Sequence, residues 1–141
     1  MGKMIKKSII ALDSMIFIYH FENNPAFSHQ TYKIFSSIES GKAIGITSII
    51  TLMEILTLPK KKKEHYLVKE YSELLNNFPN LKFIDVNFHI ADLASSLRAK
   101  YAITPPDALQ VATAIAENAD YFLTQDIRLK KIKEIKIKLL K

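Results

Sequence analysis

The sequence predicts an α/β protein with three layers, α/β/α, around a central and mostly parallel sheet of four to five strands. Short apolar runs rich in β-branched residues alternate along the chain with longer amphipathic segments. This alternation is typical of a parallel sheet covered by helices on both faces. The chain has 141 residues, 48% of them hydrophobic, which is the size of one ordinary domain. Since no repeat or linker interrupts the pattern, we predict a single domain over residues 1–141.

Five segments have the composition of strands. The tail from residue 135 alternates apolar and lysine side chains on a two-residue rhythm, which indicates an edge strand protected by charge. The other candidates are short apolar runs with turn residues or helical segments on either side. They are residues 9–12, 43–46, 82–86 and 121–124.

Six helices are predicted in the intervals. The helix at about 61–78 places Leu67, Tyr71, Leu74 and Phe78 on one stripe. The last helix is small or apolar over residues 108–116, so we expect it to be buried. Four of the six span residues 14–21, about 25–40 with a stop at Gly41, about 61–78 and about 87–100. The helix that holds Glu54 is capped by Thr47 or Ser48 and ends at Pro59. The last helix is capped by Thr104 and has Pro105 at its first position.

Four acidic residues occupy positions where acids are uncommon. Asp13 directly follows the first apolar run, and Asp126 follows the last buried one. Glu54 and Asp107 are each the only charge in a long stretch that is otherwise uncharged. A buried carboxylate needs a partner. The chain has few basic residues close to these positions and no cysteine, so we predict a shared hard cation such as Mg²⁺, and hence phosphate chemistry.

The predicted fold brings these acids to one place. Ligands of parallel sheets bind at the carboxyl ends of the strands, which is where Asp13 and Asp126 lie. Glu54 and Asp107 lie on neighbouring helices that can converge on the same edge. We therefore predict one site from the four acids. The hydroxyls of Ser14 and Thr124 would orient ligands or water around it, although ordinary capping explains them equally well.

Each acid except Glu54 also has a plainer interpretation. Asp13 can cap the helix that follows it, and Asp126 can cap a short turn before Leu129. Asp107 can favour the dipole at the third position of its helix. Glu54 has no such role, because it lies in mid-helix among isoleucines and leucines. Four carboxylates in close proximity raise one another's pKa unless a cation neutralises them, so we prefer metal binding.

The composition excludes several function classes. The chain has three glycines and no phosphate-binding or dinucleotide-binding fingerprint, which excludes Walker-type hydrolysis and Rossmann redox chemistry. Its four histidines have no metal-ligand spacing, so zinc is not expected. No membrane span and no signal sequence is evident, and we expect a cytoplasmic protein.

The net charge is +6, and lysines concentrate at residues 60–63 and in the tail from residue 130. An acidic hole with a positive rim suits a polyanion. Composition alone favours a plainer interpretation of the lysines, as a solvated helix start and a solvated strand edge.

Four segments together resemble the PIN domain, in the right order and spacing over essentially the whole chain. Stand-alone VapC-type toxins of toxin–antitoxin pairs are the nearest kind within that family. Members often carry Asp-Thr-Asn at the first motif and Thr-Asn-Asp at the last, and this chain differs there without losing a carboxylate. The segments are Ala11-Leu12-Asp13-Ser14, Met53-Glu54-Ile55, residues 104–114 with Pro106-Asp107-Ala108 as the most specific part, and residues 120–126 ending Thr124-Gln125-Asp126.

The resemblance implies a Mg²⁺- or Mn²⁺-dependent ribonuclease. The positions that match the family's acidic quartet are Asp13, Glu54, Asp107 and Asp126, and Thr124 matches its usual hydroxyl. One or two ions held there would activate water and stabilise the leaving oxygen, with Asp13 and Asp107 as the leading direct ligands. The resemblance also implies a homodimer and a small antitoxin protein whose tail lies over the acidic pocket and presents an arginine to it.

Two rival hypotheses come from different classes. In the first, the same fold is a non-catalytic module that binds RNA or a protein with its lysines, while the acids hold a structural ion. In the second, Asp13 is the nucleophile of a phosphatase. That chemistry typically requires a second aspartate two residues later, where this chain has Met15.

Overall fold

The computed structural model describes residues 6–140, which contain one five-stranded sheet in which every pair of neighbouring strands is parallel. The strands are β1 (Ser8–Leu12), β2 (Ala43–Ser48), β3 (Leu81–Ile84), β4 (Tyr121–Thr124) and β5 (Ile137–Leu139). Their order across the sheet is β3-β2-β1-β4-β5, so β1 is central and the lysine-rich β5 is an edge strand, as predicted. The predicted three-layer α/β fold is confirmed.

Helices cover both faces of this sheet. Within residues 6–140 they are α1 (Ser14–Phe21), α2 (Ser28–Glu39), α3 (Ile50–Lys61), α4 (His65–Asn77), α5 (Phe88–Lys100) and α6 (Pro105–Ala116), with a 3-10 helix at Ile127–Lys131. None of them is long and apolar enough to cross a bilayer. Gly41, with φ of +83°, ends α2 as predicted, because a left-handed residue there is least costly as glycine.

The predicted bounds of α3 were wrong at both ends. Thr47 and Ser48 are the last residues of β2, and the helix begins at Ile50. Pro59 lies inside the last turn instead of ending the helix. A proline removes one backbone donor, and here the turn stays closed because Lys62 N bonds to Leu58 O and Glu64 N bonds to Pro59 O.

The lysine run at residues 60–63 was also misplaced. It ends α3 and forms the turn before α4, where cations favour the carboxyl end of a helix dipole, and it does not begin α4. The stripe predicted for α4 is shifted as well. Leu75 is the buried residue of that helix, and Leu74 is 44% exposed.

The core has two parts, one on each face of the sheet. One part packs α5 and α6 against side chains such as Ala11 and Phe122. The other packs α1 to α4 against side chains such as Ile10 and Leu123. Neighbouring strand residues thus contribute to opposite cores, as the two-residue period of a strand requires.

Most aromatic residues of helices α1, α2 and α4 pack in the second part of this core. Phe35 is buried, Phe27 stacks on Tyr19 with ring centroids 4.8 Å apart, and Phe21 stacks on Tyr71 at 5.0 Å. Tyr66, by contrast, is 80% exposed. These rings therefore stabilise the helical layer itself, and Tyr66 is an exception.

Candidate active site

Asp13 is fixed at the carboxyl end of the central strand. It is the N-cap of α1, and its Oδ1 accepts a hydrogen bond of 2.8 Å from Ser14 N. Its Oδ2 accepts one of 2.7 Å from Thr124 Oγ1, on the neighbouring strand β4. The residue is 8% exposed. Both carboxylate oxygens are therefore anchored at a buried position.

The pKa of Asp13 is raised to about 6, mainly by burial, and the nearby carboxylates of Asp107 and Glu54 contribute in the same direction. The hydrogen bonds from Thr124 and Ser14 act in the opposite direction and favour the charged form. The influence of Asp107 and Glu54 on Asp13 indicates that acids from α3 and α6 approach the end of β1.

Asp126 has a cationic partner that the sequence analysis did not foresee. Arg128 donates from Nε and Nη2 to both carboxylate oxygens, with the shortest bond, Nη2 to Oδ2, at 2.6 Å. Asp126 also caps the 3-10 helix by accepting from Arg128 N at 2.9 Å. The bond from Arg128 holds the pKa of Asp126 below its usual range. The expectation that few basic residues lie close to the acids was wrong here, because Arg128 is two residues away.

Thr124 links the two aspartates at the end of β4. Its hydroxyl donates to Asp13 and accepts a bond of 3.1 Å from Asp126 N. The residue is fully buried. It therefore sets the distance between Asp13 and the backbone of Asp126.

Asp107 lies in the first turn of α6. The predicted cap is present, since Thr104 Oγ1 accepts from Asp107 N at 3.4 Å and the prolines 105 and 106 occupy the first two helical positions. Asp107 is half-buried. The helix dipole favours its negative charge, as the plainer interpretation states.

Glu54 is held by a buried polar network that the sequence analysis missed. Gln110, 2% exposed, donates from Nε2 to Thr51 Oγ1 at 2.8 Å and to Glu54 Oε1 at 3.4 Å. Thr51 in turn contacts Thr47 Oγ1 at 2.6 Å, and Thr47 donates to Leu12 O at 2.8 Å.

This network joins α6, α3 and β2 to the residue that precedes Asp13. A signal for it existed in the sequence. Gln110 is the only amide in the small and apolar helix α6, and it lies three residues after Asp107, so both fall on the same helical face.

The four acids line one cavity of about 240 Å³. Larger cavities lie elsewhere, including a groove of about 440 Å³ between α3 and α4, but that groove is lined mainly by apolar and amide side chains. The small cavity is distinguished by its chemistry. Its lining is Asp13, Ser14, Met15, Ile18, Glu54, Asp107, Thr124, Gln125 and Asp126.

The donor set fits a hard divalent cation. Carboxylate, hydroxyl and amide oxygens are the ligands that Mg²⁺ and Mn²⁺ prefer, and neither histidine nor cysteine lines the cavity. Gln125 Oε1 is buried and has no hydrogen-bond partner within residues 6–140, so this wall offers a further acceptor. No three acids or histidines of residues 6–140 stand close enough together to form a preassembled metal cluster.

Comparison with known proteins places this chain in a family. The model of one family, the PIN domain, matches residues 10–135. The chain belongs to the PIN domain family. This confirms the resemblance inferred from the motifs.

The individual proteins that this chain is similar to share 25% sequence identity with it or less. The chain is 25% identical to Ribonuclease VapC2 of Methanocaldococcus jannaschii over 121 residues, which cover 77% of this chain and 78% of that protein. Among solved structures, it is similar to VapBC2 from Rickettsia felis bound to a DNA fragment from their promoter, with a TM-score of 0.73, 23% identity and coverage of 94% of this chain and 99% of that one. A toxin–antitoxin complex from Klebsiella pneumoniae has a TM-score of 0.69 and 21% identity, with coverage of 92% of this chain and 95% of that one. DNA-bound VapBC from Salmonella typhimurium has a TM-score of 0.71 and 19% identity, with coverage of 96% of this chain and 99% of that one. At these identities the structures establish a shared fold.

Proposed function

We propose that this PIN domain protein is a metal-dependent endoribonuclease and the toxin of a toxin–antitoxin pair. The observation that carries the proposal is the cavity at the carboxyl edge of the sheet, which is lined by Asp13, Glu54, Asp107 and Asp126. The likeness to Ribonuclease VapC2 supports RNA as the substrate.

Asp13 and Asp107 would hold one or two Mg²⁺ or Mn²⁺ ions, with Glu54 and Asp126 acting directly or through water. A bound ion supplies electrostatic stabilisation of the phosphate and of the leaving oxygen, and it makes water a stronger nucleophile. The chain supplies the geometry. The bonds from Thr124 Oγ1 and Ser14 N position the Asp13 carboxylate and favour its charged form, and Gln110 orients Glu54 toward the cavity.

The leaving oxygen determines the products. Attack by water on the phosphorus, with cleavage of the P–O3′ bond, would leave a 5′-phosphate on one fragment and a 3′-hydroxyl on the other, and it requires no 2′-hydroxyl from the substrate. The mechanism therefore does not itself forbid DNA, and the preference for RNA rests on the similarity to the ribonuclease.

The proposed partners follow from the solved relatives, which are toxin–antitoxin complexes. We propose a homodimer that binds a small antitoxin over the acidic cavity and acts on RNA in the cytoplasm. Co-purification with the protein encoded by a neighbouring gene, and sedimentation as a dimer, test this part.

A second candidate is a non-catalytic module that binds RNA or a protein. Two observations favour it: Asp126 is already neutralised by Arg128, and residues 6–140 contain no preassembled metal cluster. It predicts binding without cleavage.

Cleavage of a mixed cellular RNA pool separates the two. The wild-type protein should cut RNA with Mg²⁺ or Mn²⁺ and not with EDTA, and the Asp13→Asn, Asp107→Asn double variant should not cut. A matched control is the Asp85→Asn, Asp92→Asn double variant, which removes two exposed carboxylates outside the cavity and should cut normally. RNA binding without metal-dependent cutting by the wild type would favour the binding module.

A further inference from the structure

The Arg128 guanidinium is bonded to Asp126, a residue that lines the acidic cavity, and within residues 6–140 only one of its edges has a bonded partner. Its Nε and Nη2 bond to the Asp126 carboxylate, and its side chain is nevertheless 73% exposed. A guanidinium carries five N–H groups in a fixed planar fork. The bonds to Asp126 use the side of the fork that contains Nε. In the part of the chain that the structure describes, the Nη1 group and the outer Nη2 hydrogen remain for a second acceptor. Such a free edge matches a phosphate in a two-bond arrangement.

Asp126 fixes this arginine firmly. The carboxylate accepts from Arg128 through both oxygens and also accepts from the Arg128 backbone, at 2.9 Å. An exposed arginine ordinarily loses side-chain freedom when it binds a ligand. Here the ion pair has already restricted the side chain, so less freedom remains to be lost.

The negative charge of the cavity favours a cation beside it when a polyanion binds. The carboxylates of Asp13, Glu54 and Asp107 line the wall, and no basic side chain of residues 6–140 lines it with them. They repel a phosphodiester, and a single divalent ion does not outweigh three of them. Arg128, together with Lys131, whose charge also lowers the pKa of Asp126, provides positive charge beside this wall.

We propose that Arg128 is a phosphate-binding residue that holds a backbone phosphate of single-stranded RNA at the mouth of the cavity, and that Asp126 is its positioning residue. The inference rests on the proposed ribonuclease function and extends it to the substrate. It also gives Asp126 a role that requires no direct bond to metal.

The test measures RNA affinity without cleavage. A short fluorescein-labelled single-stranded RNA of mixed sequence is titrated with protein in EDTA over a series of salt concentrations, and binding is followed by anisotropy. Arg128→Gln should weaken binding by roughly tenfold and lower the slope of log affinity against log salt by about 0.7, the value for one phosphate contact on a single strand. Arg128→Lys keeps the charge but not the fork, so the slope should recover while the affinity recovers only in part.

A matched control is Lys82→Gln, which removes one positive charge from the exposed face of β3, at the opposite edge of the sheet from β5. It should leave both affinity and slope close to wild type. Equal losses in Lys82→Gln and Arg128→Gln would overturn the inference, because they would show a general effect of net charge.

Metal affinity separates substrate binding from a purely structural role. Mn²⁺ binding measured by calorimetry should be as tight in Arg128→Gln as in wild type, or tighter, since Asp126 is then unpaired. Loss of Mn²⁺ affinity together with RNA affinity would overturn the inference in favour of a structural role for the ion pair. If the wild type cuts RNA but Arg128→Gln binds RNA equally well, only this inference fails. If the wild type neither binds nor cuts RNA, the proposed function itself fails.

Discussion

Two aspartates at adjacent strand ends have opposite electrostatic environments. Burial raises the pKa of Asp13, whereas the guanidinium of Arg128 lowers the pKa of Asp126. The charged form of Asp13 is therefore disfavoured in the metal-free cavity, whereas the charged form of Asp126 is favoured by its ion pair. A cation that enters the cavity would stabilise the charged form of Asp13 more than that of Asp126, which agrees with the proposed role of Asp13 as a direct ligand.

Asp13 makes the stability of the metal-free protein depend on pH. Its pKa is about 6 in the folded chain against an ordinary value of 3.8, so between these values the folded state binds a proton that the unfolded state has lost. Stability should therefore fall as pH rises from about 4 to about 7, by on the order of 2–3 kcal/mol from this group, and should be flat above. Urea unfolding in EDTA at about pH 4 and about pH 7 measures the difference.

The control for this prediction is Asp13→Asn, which cannot titrate. The loss of stability between the two pH values should be smaller in the variant by the amount due to Asp13. His20, whose pKa is lowered by burial, acts in the opposite sense, but it is present in both proteins and cancels in the comparison. Identical pH dependence in both proteins would contradict the assignment.

At the scale of elements, helix α6 contributes both an acid and the amide that fixes another acid. Asp107 stands in its first turn, and Gln110 follows one turn later and reaches Thr51 and Glu54 on α3. The hydrogen bonds run in one direction from Gln110 through Thr51 and Thr47 to Leu12 O, so each hydroxyl is both donor and acceptor. One network thus aligns two helices with the end of the central strand.

Replacing Gln110 should affect stability and activity together. Gln110→Leu leaves the buried Thr51 hydroxyl and the Ser48 amide without this partner, and we expect a loss of about 1–3 kcal/mol in urea unfolding. Cleavage should fall too, because Glu54 loses its donor. A suitable control is Thr113→Val, since Thr113 is equally buried but its hydroxyl donates to Leu109 O of its own helix, and the change should cost less than about 1 kcal/mol. A Gln110→Leu protein as stable and active as wild type would refute the role of the network.

At the scale of the whole molecule, the sheet separates two hydrophobic cores. Phe17 of α1 lies in one core and Phe122 of β4 lies in the other, and both are fully buried. The site lies at the edge where both cores end, with α1 and α3 on one side and α6 on the other. Each core therefore supports different acids of the same cavity.

The two cores should respond independently to mutation. Phe17→Leu and Phe122→Leu should each destabilise the protein, and the double variant should lose the sum of the two effects to within about 0.5 kcal/mol, because the side chains pack on opposite faces of the sheet. Urea unfolding of the two single variants and the double variant completes the cycle. A coupling energy well above this value would show that the sheet transmits strain between the cores.

The sequence by itself determined the alternation of strands and helices, because hydrophobic period and turn residues are local properties of the chain. Helix α1, strand β4 and the cap at Thr104 were predicted to the residue for this reason. The positions of Asp13, Glu54, Asp107 and Asp126 as unusual acids were equally visible, since a lone charge in an apolar segment needs no structure to be recognised.

Only the tertiary structure decided which groups these acids meet. The continuation of α3 through Pro59 depends on hydrogen bonds made by the following turn, and the choice of Leu75 over Leu74 depends on how α4 lies against its neighbours. The partnership of Gln110 with Glu54 joins residues 56 positions apart, and that of Arg128 with Asp126 depends on the backbone turn after β4. Such contacts depend on the packing of whole elements, and side-chain charge and burial at the cavity follow from that packing.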